Sequence, residues 1–223
     1  MMPLLSRSPH LQELFAQGKL LSFRKDELVT STDSKHQVMM MVEGYVKRYM
    51  ITRSGSLGIQ IVYGPQDVFS LTNVFELLLQ QNIYDGPSIY YYQTMSAARL
   101  YLLDADVFCE AVQRDPVFYK ELFSEAGQHL MTCVYNIENN SLINSYEQVA
   151  HGLLYYAKKF GIETEEGTKI GVPLTHQDIA DILGITRQTA TRAIIKLRNK
   201  GMISTDDGIT VPDIERLERA AYH

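Results

Sequence analysis

Cysteine is scarce: Cys109 and Cys133 are the only 2 in 223 residues, far apart, with no CxxC spacing and no histidine-rich neighbourhood. This excludes a secreted disulfide framework and argues against structural zinc, so a reducing, cytoplasmic setting is expected. Long apolar runs are also missing. The amino-terminal Met1-Met2-Pro3-Leu4-Leu5-Ser6-Arg7 has no hydrophobic stretch behind its charge, and no segment reaches the length of a bilayer crossing. A soluble protein without a membrane partner is expected. Asn139-Asn140-Ser141 matches a glycosylation triplet, but with no export signal the match is accidental. The histidines at positions 10, 36, 129, 151, 176 and 223 fall at no metal-ligand spacing, and neither a phosphate loop nor a GxSxG elbow occurs. An enzyme, for instance a cupin-like one, is disfavoured. No catalytic residue and no metal site are assigned.

The chain has no excess of basic residues, and its formal net charge is -5. That sum suits neither a nucleic-acid nor an acidic-membrane partner until the charges are located. From Ile185 to Lys200 there is no acid, but there are Arg187, Arg192, Lys196, Arg198 and Lys200. A basic run alone is usually a solvated helix face. Its neighbourhood changes that reading.

Thr175 to Leu183 and Thr186 to Lys200 read as two helices hinged at Gly184, with Gly201 ending the second. Thr175 is placed to cap the first, with Asp178 three residues on as a variant capping box, and Ile179, Ala180, Ile182 and Leu183 form its apolar face. Thr186 caps the second, whose inner face falls to Ala190, Ala193, Ile194 and Leu197. This leaves Arg187, Gln188, Thr191 and Arg192 outward near its amino end, the place from which a recognition helix reads base edges in a major groove. Thr175, His176, Thr189, Lys196 and Lys200 suit phosphate contacts that set register.

At 223 residues the chain divides most naturally into two domains. Between about Leu20 and Leu103, short β-rich runs such as Gln37 to Val42, Tyr45 to Ile51, Leu57 to Tyr63 and Tyr90 to Ser96 suggest an antiparallel roll or barrel. Turn signals lie at Glu43-Gly44, Ser54-Gly55, Gly64-Pro65-Gln66-Asp67 and Asp85-Gly86-Pro87. Helices are expected over about Val74 to Gln80 and from Asp104 to Gln113. A long helix then starts at Asp115-Pro116, aspartate as cap and proline as first helical residue.

Along it, Tyr119, Phe123, Ala126, Leu130, Cys133 and Ile137 recur at alternating spacings of 4 and 3, the seam of a two-stranded coiled coil. A helix packed on its own domain is the alternative, with Leu122, Met131 and Val134 covering the roll. Asn139 to Asn144 weaken the seam before the next helix, Ser145 to Phe160. The acidic Glu163 to Gly167 reads as a solvated turn, and Ile170 to Leu174 as a short strand. Met202 to Ser204 and Ile209 to Val211 flank Asp206-Asp207-Gly208 as a wing, followed by a last amphipathic helix from Pro212 using Ile214, Leu217 and Ala221. No internal repeat or low-complexity tract occurs. The fold class is α+β: β-roll sensor over 1–113, long helix over 114–143, winged helix-turn-helix over 144–223.

This arrangement resembles the cyclic AMP receptor protein and FNR family of bacterial transcription regulators. The resemblance is strongest over Leu174 to Ile203, through Ile179-Ala180, Gly184, Thr186-Arg187-Gln188-Thr189 and Arg192, and Val42 to Lys47 resembles the family's early hairpin. It implies a cyclic-nucleotide-binding-like roll, a homodimer on inverted-repeat double-stranded DNA, and RNA polymerase as a partner. Arg187 and Arg192 become guanine readers or phosphate clamps. Many relatives carry glutamate where Gln188 stands. Glutamine pairs with adenine rather than cytosine, so a half-site shifted from TGTGA-like or TTGAT-like cores is expected. A sensing or protein-binding module that has lost DNA regulation is the rival, and the intact basic helix argues against it.

Departures from the family pattern are equally informative. Cyclic-nucleotide binders hold the ribose with Gly-Glu and the phosphate with Arg-Ser or Arg-Thr. Here Ser70-Leu71 stands in the first place, Ser88-Ile89 or a neighbour in the second, and no arginine occurs between Arg53 and Arg99. Cyclic AMP is therefore not expected, and Cys133 and Val134 stand where its binders place hydroxyl residues. Two cysteines cannot hold an iron–sulfur cluster. Haem, which His10, His36 or Cys109 would have to ligate, is not expected either. No cofactor is assigned. Cys133 reads either as a small hydrophobe or as a thiol switch across the two-fold axis. Phe69, Tyr90, Tyr92 and Val134, with Tyr91 and Met95, suit an uncharged or aromatic effector, and a ligand-independent regulator stands beside that reading.

Overall fold

A computed structural model describes residues 9–29, 37–51, 55–81, 90–141 and 144–222. Asp85-Gly86-Pro87, Ser88-Ile89 and His36 lie outside the described residues. The chain forms two compact units, one of residues 1–50 and 61–131, the other of 51–60 and 132–223.

The first unit opens with α1 (Pro9–Phe15), a single short helix whose Leu11, Leu14 and Phe15 are buried. Two antiparallel sheets follow. One has the order β1 (Lys19–Phe23), β7 (Ala98–Asp104), β2 (Gln37–Glu43), β5 (Val68–Phe69). The other runs β4 (Leu57–Tyr63), β3 (Val46–Ile51), β6 (Tyr90–Thr94). The roll expected from the β-rich runs is thus built of chain-distant pairs, such as Lys19 opposite Leu102 and Val38 opposite Leu103. Gly44 makes the β2–β3 turn at φ 82°, where an added Cβ would lie 2.2 Å from the Ala97 carbonyl oxygen. Only glycine meets both demands.

The expected turn at Gly64 closes on itself, with the Gly64 amide donating to Asp67 Oδ2 at 2.8 Å. α2 (Thr72–Leu79) and α3 (Ala105–Arg114) pack against each other and bury Val74, Phe108 and Val112 with the residues of α1. Cys109 is buried in that core, and desolvation, with Asp106 adding, pushes its thiol up to about 11. A thiol held neutral in this way is packing rather than chemistry.

α4 (Pro116–Asn140) is the long helix, 25 residues, with the Val117 amide donating to the Asp115 carboxylate as the Asp-Pro start requires. Leu122 points into the first unit's core as expected, but Met131 is exposed.

In the second unit α5 (Ser145–Phe160) runs over the expected residues, because Asn144 accepts from the Tyr146 amide at one end and Gly161 ends it at the other. Glu163 to Gly167 is more than a solvated turn. β8 (Gly161–Thr164) and β9 (Gly167–Ile170) form a hairpin there, with all of β8's residues exposed. The strand expected over Ile170 to Leu174 thus ends at Ile170. β10 (Thr210–Val211) joins β9, and Ser204 bridges Thr210, so the wing is a small sheet rather than an isolated hairpin. α8 (Ile214–Tyr222) starts two residues after Pro212, the Arg216 amide donating to Asp213, and buries Leu217 and Ala221. Among the described residues no helix is long and apolar enough to cross a membrane.

Candidate nucleic-acid interface

The helix pair is fixed by its caps. α6 (His176–Leu183) begins with a complete capping box: Thr175 Oγ1 accepts from the Asp178 amide at 3.0 Å, and Asp178 accepts from the Thr175 amide at 3.1 Å. Two of the amides that helix geometry leaves orphaned are satisfied reciprocally, worth about 1 kcal/mol per cap. Gly184 ends the helix at φ 63° and ψ 28°, the left-handed conformation that turns the chain. Thr186 then caps α7 (Arg187–Asn199) by accepting from the Thr189 amide. Ala190, Ala193, Ile194 and Leu197 bury the inner face of α7.

That burial orients the outer face. Arg187, Gln188, Thr191 and Arg192 together line an open groove of about 590 Å³ at the amino end of α7, so the expected base readers converge. Arg187, Gln188 and Arg192 are exposed and Thr191 is half-buried. Unpaired amides and the helix dipole make this end locally positive, which adds to the arginines.

The residues expected at phosphates are distributed more unevenly. Thr175 is engaged in its capping box, its hydroxyl also donating to Asp178 at 2.6 Å. His176 Nδ1 lies 3.0 Å from Thr191 Oγ1. Thr189 Oγ1 pairs with Thr186 Oγ1 at 2.9 Å. Lys196 and Lys200, one turn apart, both place their ammonium groups over the ring of Tyr146, at 4.5 and 4.9 Å from its centroid. Tyr146, in the first turn of α5, is a supporting residue that sequence reasoning missed. No pattern within α5 shows that two lysines about fifty residues away will settle on it. In the wing, Lys169 pairs with Asp207 at 2.5 Å, and this bond and charge hold the carboxyl below its ordinary value.

The expected dimer seam is the bare stripe of α4. Phe123 is 82% exposed, Leu130 64% and Ile137 68%, Tyr119 and Cys133 are exposed, and Ala126 is half-buried. Cys133 is a free thiol exposed on this stripe of the single chain.

In the first unit, Phe69 and Tyr92 pack with Tyr63, ring centroids 4.6 Å apart for Tyr63 and Phe69 and 5.0 Å for Phe69 and Tyr92, and Tyr90 meets Tyr92 edge-on at 5.7 Å. Val134 belongs to the second unit and is half-buried there. The β3–β6 register sets Arg48 opposite Tyr92, and its guanidinium lies 4.7 Å over the Tyr90 ring. Arg48 precedes the arginine-free stretch between Arg53 and Arg99, and only the strand register brings it to these tyrosines. Arg48 and the Ser70 hydroxyl both hydrogen-bond to Tyr92, whose phenol is raised overall by burial. Ser70 keeps the φ of 65° that glycine would adopt, but the neighbouring Leu71 is a buried apolar side chain, with no carboxylate for a ribose. Among the described residues, position 71 thus offers a cyclic nucleotide no carboxylate.

Residues 147–220 match the family model described as the Crp-like helix-turn-helix domain. A "CRP-like cAMP-activated global transcriptional regulator" of Mycobacterium tuberculosis is 23% identical to this chain over 83% of its length and 80% of its own. The structure of FixK2 from Bradyrhizobium japonicum superposes with a TM-score of 0.74 at 22% identity, covering 91% of this chain and 96% of that one. A CooA mutant from Carboxydothermus hydrogenoformans gives 0.71 at 17% identity, over 94% and 90%.

Proposed function

Because this chain belongs to the cyclic AMP receptor protein/FNR family of DNA-binding transcription regulators, we propose that it works as a homodimer that sets the amino end of α7 from each protomer into successive major grooves. The operator is then an inverted repeat with half-sites about one helical turn apart. The observation that carries this reading is the convergence of Arg187, Gln188, Thr191 and Arg192 on one exposed groove at a capped, locally acid-free helix. Arg187 and Arg192 present guanidinium forks to guanine O6 and N7, and Gln188 presents an amide that matches adenine N6 and N7. Thr175, His176, Thr189, Lys196 and Lys200 serve the backbone and set register.

The wider assignment follows the same division. Residues 1–113 form the sensor, 114–143 the dimerisation helix with its exposed stripe, and 144–223 the DNA-binding part. The input is other than cyclic AMP or an iron–sulfur cluster. Leu71 in place of a carboxylate supports the first exclusion, and the count of 2 cysteines the second. The aromatic group around Tyr92, with Arg48 beside it, favours an aromatic effector or none. The protein acts in the cytoplasm on transcription by RNA polymerase, and carries no enzymatic role.

Selection of binding sites from random duplexes tests the reading. The expected product is an inverted repeat with adenine favoured at one half-site position, moving toward cytosine in Gln188→Glu. A preference for cytosine in the wild type, unmoved by that substitution, would overturn the assignment of Gln188.

A further inference from the structure

His176 opens α6 and Thr191 sits in the second turn of α7, yet their side chains meet at 3.0 Å between Nδ1 and Oγ1. Thr191 is also one of the four residues lining the groove, with Arg187, Gln188 and Arg192. A threonine hydroxyl has one proton and two acceptor positions, and its rotor turns to suit its partners. Whichever partner fixes the proton also fixes what the hydroxyl can offer to a base. Thr191 is half-buried and its partner is the Nδ1 of His176, so the tautomer of that ring decides the role of the hydroxyl.

Nε2 takes no part in the bond to Thr191. In a neutral imidazole one nitrogen carries the proton and the other accepts. A DNA phosphate has acceptor oxygens only, so contact with Nε2 requires the proton there. Nδ1 is then an acceptor, and the Thr191 hydroxyl must donate to it. Its remaining lone pairs can meet only a donor. In the major groove the donors are the exocyclic amines, N6 of adenine and N4 of cytosine; thymine O4 and guanine O6 and N7 are acceptors.

We propose that His176 is a specificity-determining positioning residue: held at Nε2 by a backbone phosphate, it orients the Thr191 hydroxyl as an acceptor, so that Thr191 selects a base bearing an exocyclic amine. The proposal rests on the helix-turn-helix reading given above and deepens it. One residue couples a contact that carries no sequence information to one that does. Among the described residues the bond lies within the second unit, so the relay needs no input from the sensor.

The test is site selection from random duplexes at pH 8 and fixed salt with the full-length protein and four variants. Thr191→Val keeps shape and loses the hydroxyl. His176→Gln keeps a donor near Nε2 and loses the bond to Thr191, whereas His176→Asn keeps a polar atom near Nδ1. The fourth variant combines Thr191→Val with His176→Gln. The wild type is expected to prefer adenine or cytosine over guanine or thymine at one half-site position by about fivefold to tenfold, the scale of a single base-edge hydrogen bond.

Thr191→Val and His176→Gln should each abolish that preference, the double variant should lose nothing more, and His176→Asn should retain it. The relay is overturned if His176→Gln weakens binding to every sequence alike and leaves that position's preference intact, or if the preferred base there is guanine or thymine. Absence of any sequence preference in the wild type would instead sink the underlying DNA-reading assignment. Thermal melting of each variant shows that altered preference belongs to a folded protein.

Discussion

The imidazole of His151 lies flat on the phenol ring of Tyr135, with ring centroids 4.5 Å apart and planes within 7° of parallel. Tyr135 comes from α4 and His151 from α5, and the Tyr135 hydroxyl donates to the His151 carbonyl oxygen. Tyr155 also stacks on Tyr135, at 4.3 Å, and Tyr222 of α8 meets His151 Nε2 through its hydroxyl at 3.1 Å. His151 is 4% exposed, and its Nδ1 has no partner among the described residues. Three helices, α4, α5 and α8, thus close within the second unit around one titratable side chain.

This group makes stability depend on pH. Burial lowers the His151 value below its ordinary 6.5; the Glu138 carboxylate opposes this and the Lys158 ammonium adds to it. With the folded value depressed, the unfolded chain takes up the proton first as pH falls, so the stabilisation is full above about pH 6.5 and is lost below it. The slope from one proton is at most about 1.4 kcal/mol per pH unit. His151→Phe keeps the stack and removes the titration, and Tyr222, which is exposed, finds water instead. The expected result is a wild-type melting temperature that drops from pH 7.5 to pH 5.5 by more than that of the variant. Parallel curves would remove His151 as the cause.

Tyr146 carries a second prediction. Its ring receives two ammonium groups, and its own hydroxyl oxygen is buried without a partner among the described residues. Tyr146→Phe therefore keeps the platform and removes an unsatisfied polar atom, and unfolding in urea should show stability unchanged or raised by up to about 1 kcal/mol. Tyr146→Leu loses both cation–ring contacts, about 0.5–1 kcal/mol for each at exposed sites. Equal loss in the two variants would show that the hydroxyl, not the ring face, matters.

Lys200 gives a third. Its backbone carbonyl accepts from Arg216 Nη2 at 2.9 Å, so removing its side chain leaves the end of α7 anchored. Lys200→Ala should then weaken binding to all duplexes alike and reduce the slope of log affinity against log salt by about 1. A changed base preference at an unaltered slope would contradict its assignment to phosphate.

Elements with local punctuation were legible in the sequence. α5 was read to the residue because Asn144 caps it and Gly161 ends it, and the α6–α7 pair because its two threonine caps flank a glycine turn. β8 was not, since its residues are all exposed and show no apolar alternation beside Glu163 and Glu165. α1 offers one turn of apolar residues, too little periodicity to announce a helix. At the interface, the four groove residues follow from helical spacing alone. The partners of His176, Lys196 and Lys200 do not, because each bond joins residues from different helices, 15 to about 54 positions apart. Arg48 reaches the tyrosines only through the register of β3 and β6.

The stripe on α4 carries the last prediction. Phe123, Leu130 and Ile137 are spaced 7 apart and each is more exposed than not, whereas Leu122, one position from Phe123, is buried in the core. A helix that already buries one face and leaves a heptad-spaced apolar second face in water is paying a hydrophobic cost that a second copy removes. Burial of one such side chain is worth about 1.5–3 kcal/mol, and a two-fold axis doubles every contact. A charge at the centre of that seam would be desolvated against its own mate, so Leu130→Glu should give a monomer by sedimentation at concentrations where the wild type is dimeric. Since Leu130 contributes little to the first unit's core, the variant's circular dichroism should stay native. Its affinity for a complete inverted repeat should fall to that for a single half-site, because only linkage of two recognition helices makes the second binding event intramolecular. A Leu130→Glu protein that remains dimeric, or a monomer that distinguishes full from half operators as well as the wild type does, would place the pairing surface elsewhere on the chain.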